Sequence, residues 1–385
     1  MNTKLKLISC LVPLAFMGRT VIAQPFDAGS TGADGALIVT SNRTLNLPPD
    51  GVFNFTTINV AAGTTLTFNR NALNTPLYLL AQSNVTINGA VDVSGGSGNN
   101  TGPGRGGPGG LDGGYPGLDA NTPPGTGLGP GGAGGGIACC VANSVGAGGY
   151  GSIGGHPSTT NKGAAYGSPL LIPLAGGSGG GGLIGNPFGG GGGGGAILIA
   201  SSTRIDINSP GIVRANGGGN CGVAVNGGSG GAIRLVAPLI TGNGTLNAIG
   251  LCTGGDGRIR VDTTNRRSVV FTSDPTPSIG ANLVVFPTPI PRLDIVEAAG
   301  TTIPEGTNAP VTIQLPFNST TNRTVTVQAR DFNAVVLIAV ALTPDAGRAV
   351  VYQGTIDNLA SNPAQTVINV TVPVNTVVSV NAWTR

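Results

Sequence analysis

The chain is short of most side chains that enzymes use for chemistry. Its 385 residues include one histidine, one tryptophan and two methionines; 9% of residues are charged and 4% are aromatic. The lone His156 sits between Gly155 and Pro157 with no neighbouring acid, which disfavours histidine-based nucleophilic relays and histidine-rich metal sites. Charge of one sign is also missing. Lys4, Lys6 and Arg19 fall within the first 23 residues, and the rest of the chain balances 16 basic against 16 acidic side chains. A neutral chain has no counterion-release drive toward nucleic acid and no polybasic attraction to anionic lipid, so neither is an expected partner. Long apolar runs are absent after the leader. The longest, Ala334 to Leu342, is nine residues, against the ~20 of a membrane-spanning helix.

Glycine takes the place of what is missing: there are 69 Gly and 28 Pro. That proportion excludes a helical bundle, and the lack of a strict triplet repeat excludes collagen.

Residues 1–23 read as a secretory leader, with Lys4 and Lys6 ahead of an apolar stretch from Leu7 to Met17 and with cleavage between Ala23 and Gln24. Arg19 interrupts the run too early for an anchor. Leu7 to Cys10 resembles a bacterial lipobox, but only nine residues precede the cysteine. Export leaves Cys139, Cys140, Cys221 and Cys252 in an oxidising compartment. Pairing the adjacent Cys139 and Cys140 is strained, so the expectations are the crossed pairings or a single Cys221–Cys252 bridge.

The distribution of glycine divides the chain. Gly95 to Gly195 holds 42 Gly in 101 residues, whereas Arg292 to Arg385 holds four in 94. Residues 24–273 therefore form one region, with long inserts at about 97–195. Residues 274–291, with Pro275, Pro277, Pro287, Pro289 and Pro291, read as an extended linker, and residues 292–385 as a second domain.

Three phrases align within the first region: Pro76 to Ala81, Ala196 to Ala200 and Ala232 to Val236, with an echo at Arg258 to Val261. The first two continue into Val85 to Asn88 and Arg204 to Asn208, then into Ala90 to Gly96 and Ile212 to Gly218. Short period-two strands recurring every 25 to 36 residues bury their Ile, Leu and Val only by stacking on the next repeat. The expected fold is a parallel β-helix. In Val85 to Gly96, Gly227 to Ala237 and Gly257 to Val261 the sequence resembles the Gly-rich parallel β-helix repeats of secreted bacterial surface and adhesin-like proteins. The resemblance covers about Thr44 to Thr264 and implies a fold and a cell-surface setting, with no activity attached.

For the glycine tracts, including seven in a row at Gly189 to Gly195, disorder is the default expectation, since glycine loses the most backbone entropy on ordering. Bare glycine also permits a polyproline-II-like lattice of closely packed backbones. Residues 292–385 read as an immunoglobulin-like β-sandwich of strands at Val311 to Leu315, Thr324 to Arg330, Ala334 to Leu342, Arg348 to Gly354, Gln365 to Val372 and Val377 to Trp383. Turns are expected at Asp345 to Gly347 and Val374 to Thr376.

Secreted β-helices include polysaccharide lyases and hydrolases, which need paired carboxylates or a base with charge stabilisation. The strand acids Asp92, Asp206 and Asp262 each sit in an apolar alternation that points them outward, where they read as solubilising. Tyr78, Arg234 and Arg260 share a repeat position with Leu198 and should form one outward column able to meet an acidic sugar. Gly109 to Gly114 hints at a calcium repeat without its nonapeptide array. No cofactor is implied. The sequence thus points to an all-β exported surface or matrix protein, scaffold- or adhesin-like, meeting extracellular polysaccharide or a cell-surface protein through extended contacts. Its rivals are a carbohydrate-active β-helix enzyme and a passive polysaccharide- or ice-binding protein.

Overall fold

The computed structural model describes residues 25–117, 123–137, 145–155, 161–184, 188–219, 221, 226–307, 309–344 and 350–384. The leader with Ala23 and Gln24, Cys139, Cys140, His156 and the turn at Asp345 to Gly347 lie outside the described residues.

Three parallel sheets wind into a solenoid, and two antiparallel sheets follow as a sandwich. The first solenoid sheet stacks Ala36–Val39, Thr57–Val60, Val85–Ile87, Arg204–Ile207 and Leu239–Thr241. The second stacks Arg43–Asn46, Thr65–Asn69, Ala90–Asp92, Ile212–Arg214, Thr245–Asn247 and Thr272–Asp274. The third stacks Val52–Phe55, Leu77–Ala81, Ala196–Ser201, Ala232–Val236, Arg258–Asp262 and Ser278–Gly280. Period-two alternation turns Ile58, Val85, Ile205 and Ile240 into the lumen as one stack. Each buried aliphatic side chain stabilises by about 1.5–3 kcal/mol, and only the adjacent coil completes its burial.

The repeat beginning at Pro76 stacks directly on the one beginning at Ala196. Leu79 lies opposite Ile199, Thr86 opposite Asp206 and Val91 opposite Val213, and the Val93 N–H donates to the Arg214 carbonyl at 2.9 Å. The described residues between these repeats leave the solenoid at the corner joining the second sheet to the third. The shorter glycine passages after Arg214 and after Asn247 leave from the same corner of the next two coils. Stacked coils therefore lay their glycine segments side by side.

The glycine run is ordered, against the default expectation. Gly189 to Gly195 are buried and hydrogen-bonded, although they belong to no strand or helix. Gly189, Gly192 and Gly195 donate to the carbonyls of Asn99, Gly96 and Val93; Gly190, Gly193 and Ala196 donate to those of Gly114, Leu111 and Pro108; Gly191 and Gly194 donate to those of Asn226 and Ser229. The donors visit three neighbours in strict rotation. Period three is the repeat of polyproline II, which has no internal hydrogen bonds and leaves every N–H free for a neighbour. In return, Gly190 and Gly193 accept from Gly104 and Gly107, Gly191 and Gly194 accept from Gly180 and Gly177, and Gly192 accepts from Gly218. The run is the axis of a bundle of backbones, and the lattice alternative is the one realised.

The stretch expected as a linker contributes to the solenoid at its start. Thr272–Asp274 and Ser278–Gly280 pair with the coil before them, and Pro275 and Pro277 fall between the two strands, where no ladder donor is needed. Residues 281–286 then lie across the outer face of the third sheet.

In the sandwich, Val335–Pro344 is the central strand of one sheet, between Val350–Asp357 and Val378–Thr384. The facing sheet runs Thr301–Thr302, Arg292–Ala298, Asn322–Arg330 and Ala364–Thr371. Val325, Val327, Ile338, Val340, Leu342, Ile356 and Val370 form its own core. Two details correct the sequence reading. Arg292–Ala298 is an added strand, and Val311 to Leu315 joins no sheet, because Pro310 and Pro316 bracket it without N–H donors. The bend at Val374 to Thr376 is present, with Asn375 at φ 57°.

Candidate functional site

The three solenoid sheets present different outer faces. On the first, Asn59, Thr86, Asp206 and Thr241 stand in one row, related by direct strand register. Asp206 accepts from Arg204 Nη2 at 2.6 Å and from the Thr241 hydroxyl. Beside the row, the Thr203 hydroxyl donates to Asn84 at 2.8 Å and the Asn208 amide to Asn88 at 3.2 Å. On the second sheet, Thr44, Thr67, Asp92, Arg214, Asn247 and Asp274 form a comparable row. Thr44 and Thr67 share a hydrogen bond at 2.7 Å, and Arg214 lies 3.7 Å from Asp92. Both rows are polar and follow the strand register; the first is made of short side chains, and the second also carries Arg214.

The third sheet differs. The column expected from the sequence exists in register, with Tyr78 opposite Leu198, Leu198 opposite Arg234 and Arg234 opposite Arg260. It faces away from the lumen, as expected, but it is not exposed. Arg234 is 1% accessible and Asp262 0%. A second apolar layer covers this face, built from Ala28, Tyr150, Leu171, Leu174 and Val285, with Phe26, Leu283 and Phe286 partly buried against them.

Asp262 is therefore no solubilising residue. It accepts from Arg234 Nη2 at 3.3 Å, from Arg260 Nη2 and Nε at 2.6 and 3.0 Å, and from the Asn282 N–H at 3.0 Å. Arg234 Nη2 also donates to the Asn282 carbonyl at 3.3 Å, while Arg234 Nε is buried without a partner. Burial pulls the Arg234 guanidinium below its ordinary value, against the attraction of Asp262. Burial also pushes the Tyr78 hydroxyl up to about 12, with Arg234 opposing. The Tyr78 ring packs on Phe286, centroids 5.1 Å apart. A neighbouring seat holds the glycine bundle against the same sheet. There the Arg258 guanidinium donates to the Tyr166 carbonyl at 3.0 and 3.2 Å and lies 5.8 Å from the Tyr150 ring centroid.

Cys221 and Cys252 are bridged, with Cα atoms 4.8 Å apart. The bond closes a loop of 31 residues between glycine passages of successive coils. By loop entropy it contributes about 3–4 kcal/mol. Reduction should lower the urea midpoint accordingly, and digestion without reductant should release a Cys221–Cys252 cross-linked peptide; equal midpoints with and without dithiothreitol would contradict this contribution. Gly109 to Gly114 belongs to the glycine lattice, and Asp112 pairs with Arg70 at 2.6 Å. Among the described residues, no three of His, Cys, Asp and Glu gather in a metal-holding group.

The buried cluster escaped sequence reading because alternation identifies the lumen face and says nothing of what covers the other. One signal was available. Pro76 to Ala81 and Ala196 to Ala200 are nearly continuous apolar runs, the mark of a strand covered on both faces. No protein-family model, curated protein or solved structure matches the chain.

Proposed function

We propose that the protein is an exported, non-enzymatic surface scaffold that holds extracellular polysaccharide along the outer face of its first solenoid sheet. The observation that carries this reading is the row Asn59, Thr86, Asp206 and Thr241. Strands lie ~4.8 Å apart, so the row offers hydroxyl, amide and carboxylate groups at a fixed spacing over about 14 Å. Asp206 and Thr241, bonded to each other and to Arg204, have already lost rotamer freedom, which lowers the entropic cost of holding a sugar chain. The stacked lumen side chains Ile58, Val85, Ile205 and Ile240 give this face a packed backing.

The hydrolytic rival is weakly supported. Asp92 and Asp274 share a row on the second sheet but are three strand steps apart, about 14 Å, beyond the ~5–9.5 Å that separates glycosidase carboxylates. Asp262 is committed to two guanidinium groups.

The test is a glycan array with a parallel assay for reducing ends and unsaturated products. Binding to a polysaccharide class with no product release is expected. The variant Asn59→Ala/Thr86→Ala/Thr241→Ala should lose at least tenfold in signal at an unchanged melting temperature. Product that accumulates with time, or a triple variant that binds like the parent, overturns the proposal.

A further inference from the structure

The buried cluster on the third sheet has more charge than its cover can satisfy. Two guanidinium groups share one carboxylate, Arg234 is 1% accessible, and its Nε has no partner. Leaving a donor of a buried cation unused is costly, and native proteins do so rarely. The segment lying over the cluster brings no acid. Residues 281–286 are Ala, Asn, Leu, Val, Val and Phe, and only the main chain of Asn282 reaches the charges, accepting from Arg234 and donating to Asp262.

The same segment is lightly held. It belongs to no strand, and its own backbone bonds run only within it, Leu283 to Ala281 and Val284 to Asn282. Its attachment is the pair of bonds at Asn282 and the apolar contacts of Leu283, Val285 and Phe286, the last packed at a tilt on the Tyr78 ring. Beyond it, Pro287, Pro289 and Pro291 keep the chain out of regular pairing on the way to the sandwich.

Beneath the strap lies a set of groups suited to a carboxylate on a sugar ring. Arg234 and Arg260 occupy facing positions of adjacent strands, and Asp262 bonds both from one side, which fixes the two guanidinium planes. A planar guanidinium takes a carboxylate through two parallel hydrogen bonds, and an aromatic ring in the same column offers a face to the sugar. Tyr78 supplies that ring two strand steps from Arg234, about 10 Å along the column, the reach of a neighbouring sugar unit.

We propose that residues 281–286 are a displaceable strap over a cryptic site for a uronic acid unit of a polysaccharide, with Arg234 and Arg260 binding its carboxylate and Tyr78 packing against the neighbouring sugar ring. The site is on a different sheet from the Asn59 to Thr241 row and stands or falls independently of it. With the strap closed the competent fraction is small, and apparent affinity falls by that fraction. Loosening the strap therefore tightens binding, the reverse of what losing a ligand contact does.

The experiment uses the full chain with a hexamer of galacturonic acid as probe and cellohexaose as its neutral counterpart, followed by titration calorimetry. Leu283→Ala, which leaves the Tyr78 ring and its neighbour Phe286 in place, should bind the acidic hexamer at least tenfold more tightly than the parent. Arg260→Gln placed in that background should abolish the gain; its side chain is 11% accessible, so it folds more readily than an Arg234 variant. In the unaltered protein, hydrogen exchange at the Asn282 amide should accelerate when the hexamer is added. The proposal is overturned if Leu283→Ala binds the hexamer no more tightly than the parent. Equal binding of both hexamers, or an Asn282 amide that slows or does not respond, overturns it as well.

Discussion

Gly193→Ala is expected to destabilise the solenoid with its glycine bundle by about 3–5 kcal/mol. A Cβ on Gly193 would lie on the carbonyl of Gly177, inside van der Waals contact, and 2.7 Å from the Ser178 nitrogen. All of these are backbone atoms, so no side chain can swing aside. Overpacking of this kind costs about 1–3 kcal/mol or more. The displacement also strains the bonds of Gly193 to Leu111 and from Gly107, each contributing ~1 kcal/mol. The control is Gly102→Ala, where an added Cβ meets nothing within 4 Å and φ is not positive. That variant should be neutral or slightly stabilising, through a less flexible unfolded chain. Differential scanning calorimetry separates the two. Similar melting temperatures for both variants would mean that the run tolerates side chains and that the period-three contacts do not carry stability.

Asp262→Ala is expected to cost about 3–5 kcal/mol, the penalty for breaking a buried ion pair and leaving its cations unpaired. Arg234 has no route to water, and Arg260 has little. The attachment of Asn282 to Asp262 is lost in the same step, so residues 281–286 should become sensitive to protease. The triple change Arg234→Met, Arg260→Met and Asp262→Leu should recover most of the loss, because an apolar set of similar size removes the stranded charges together with their partner. Chemical denaturation of the parent and both variants decides the matter. A loss below about 1 kcal/mol for Asp262→Ala would show that water reaches the guanidinium groups.

Much of the architecture was legible in the chain. Period-two runs at Val85 to Asn88 and Arg204 to Asn208 identify strands whose apolar face needs a neighbour, and matching phrases at Pro76 and Ala196 identify which repeats adjoin. Two things were not legible, for different reasons. Glycine has no side chain, so the run from Gly189 to Gly195 carries no pattern of its own; order there depends on segments nearly a hundred residues earlier and some thirty later. The burial of Arg234 and Asp262 depends on residues 281–286 folding back over them, and nothing in Arg234 to Val236 or Arg260 to Asp262 records that. The even row on the first sheet needed only the register of repeats, yet its polar residues are ordinary enough that the sequence gives them no emphasis.

The rotation of donors along Gly189 to Gly195 has a consequence for how such a gene can change length. Each added residue turns the backbone by about 120°, the angle of a threefold screw. One inserted residue would redirect every later N–H from its own neighbour to the next one around the axis. Three inserted residues restore every direction, and the added turn needs only matching turns in the surrounding segments. Length variation in the axial run among descendants of this gene should therefore come in multiples of nine nucleotides, while the connections at the ends of the bundle remain free to drift by single codons.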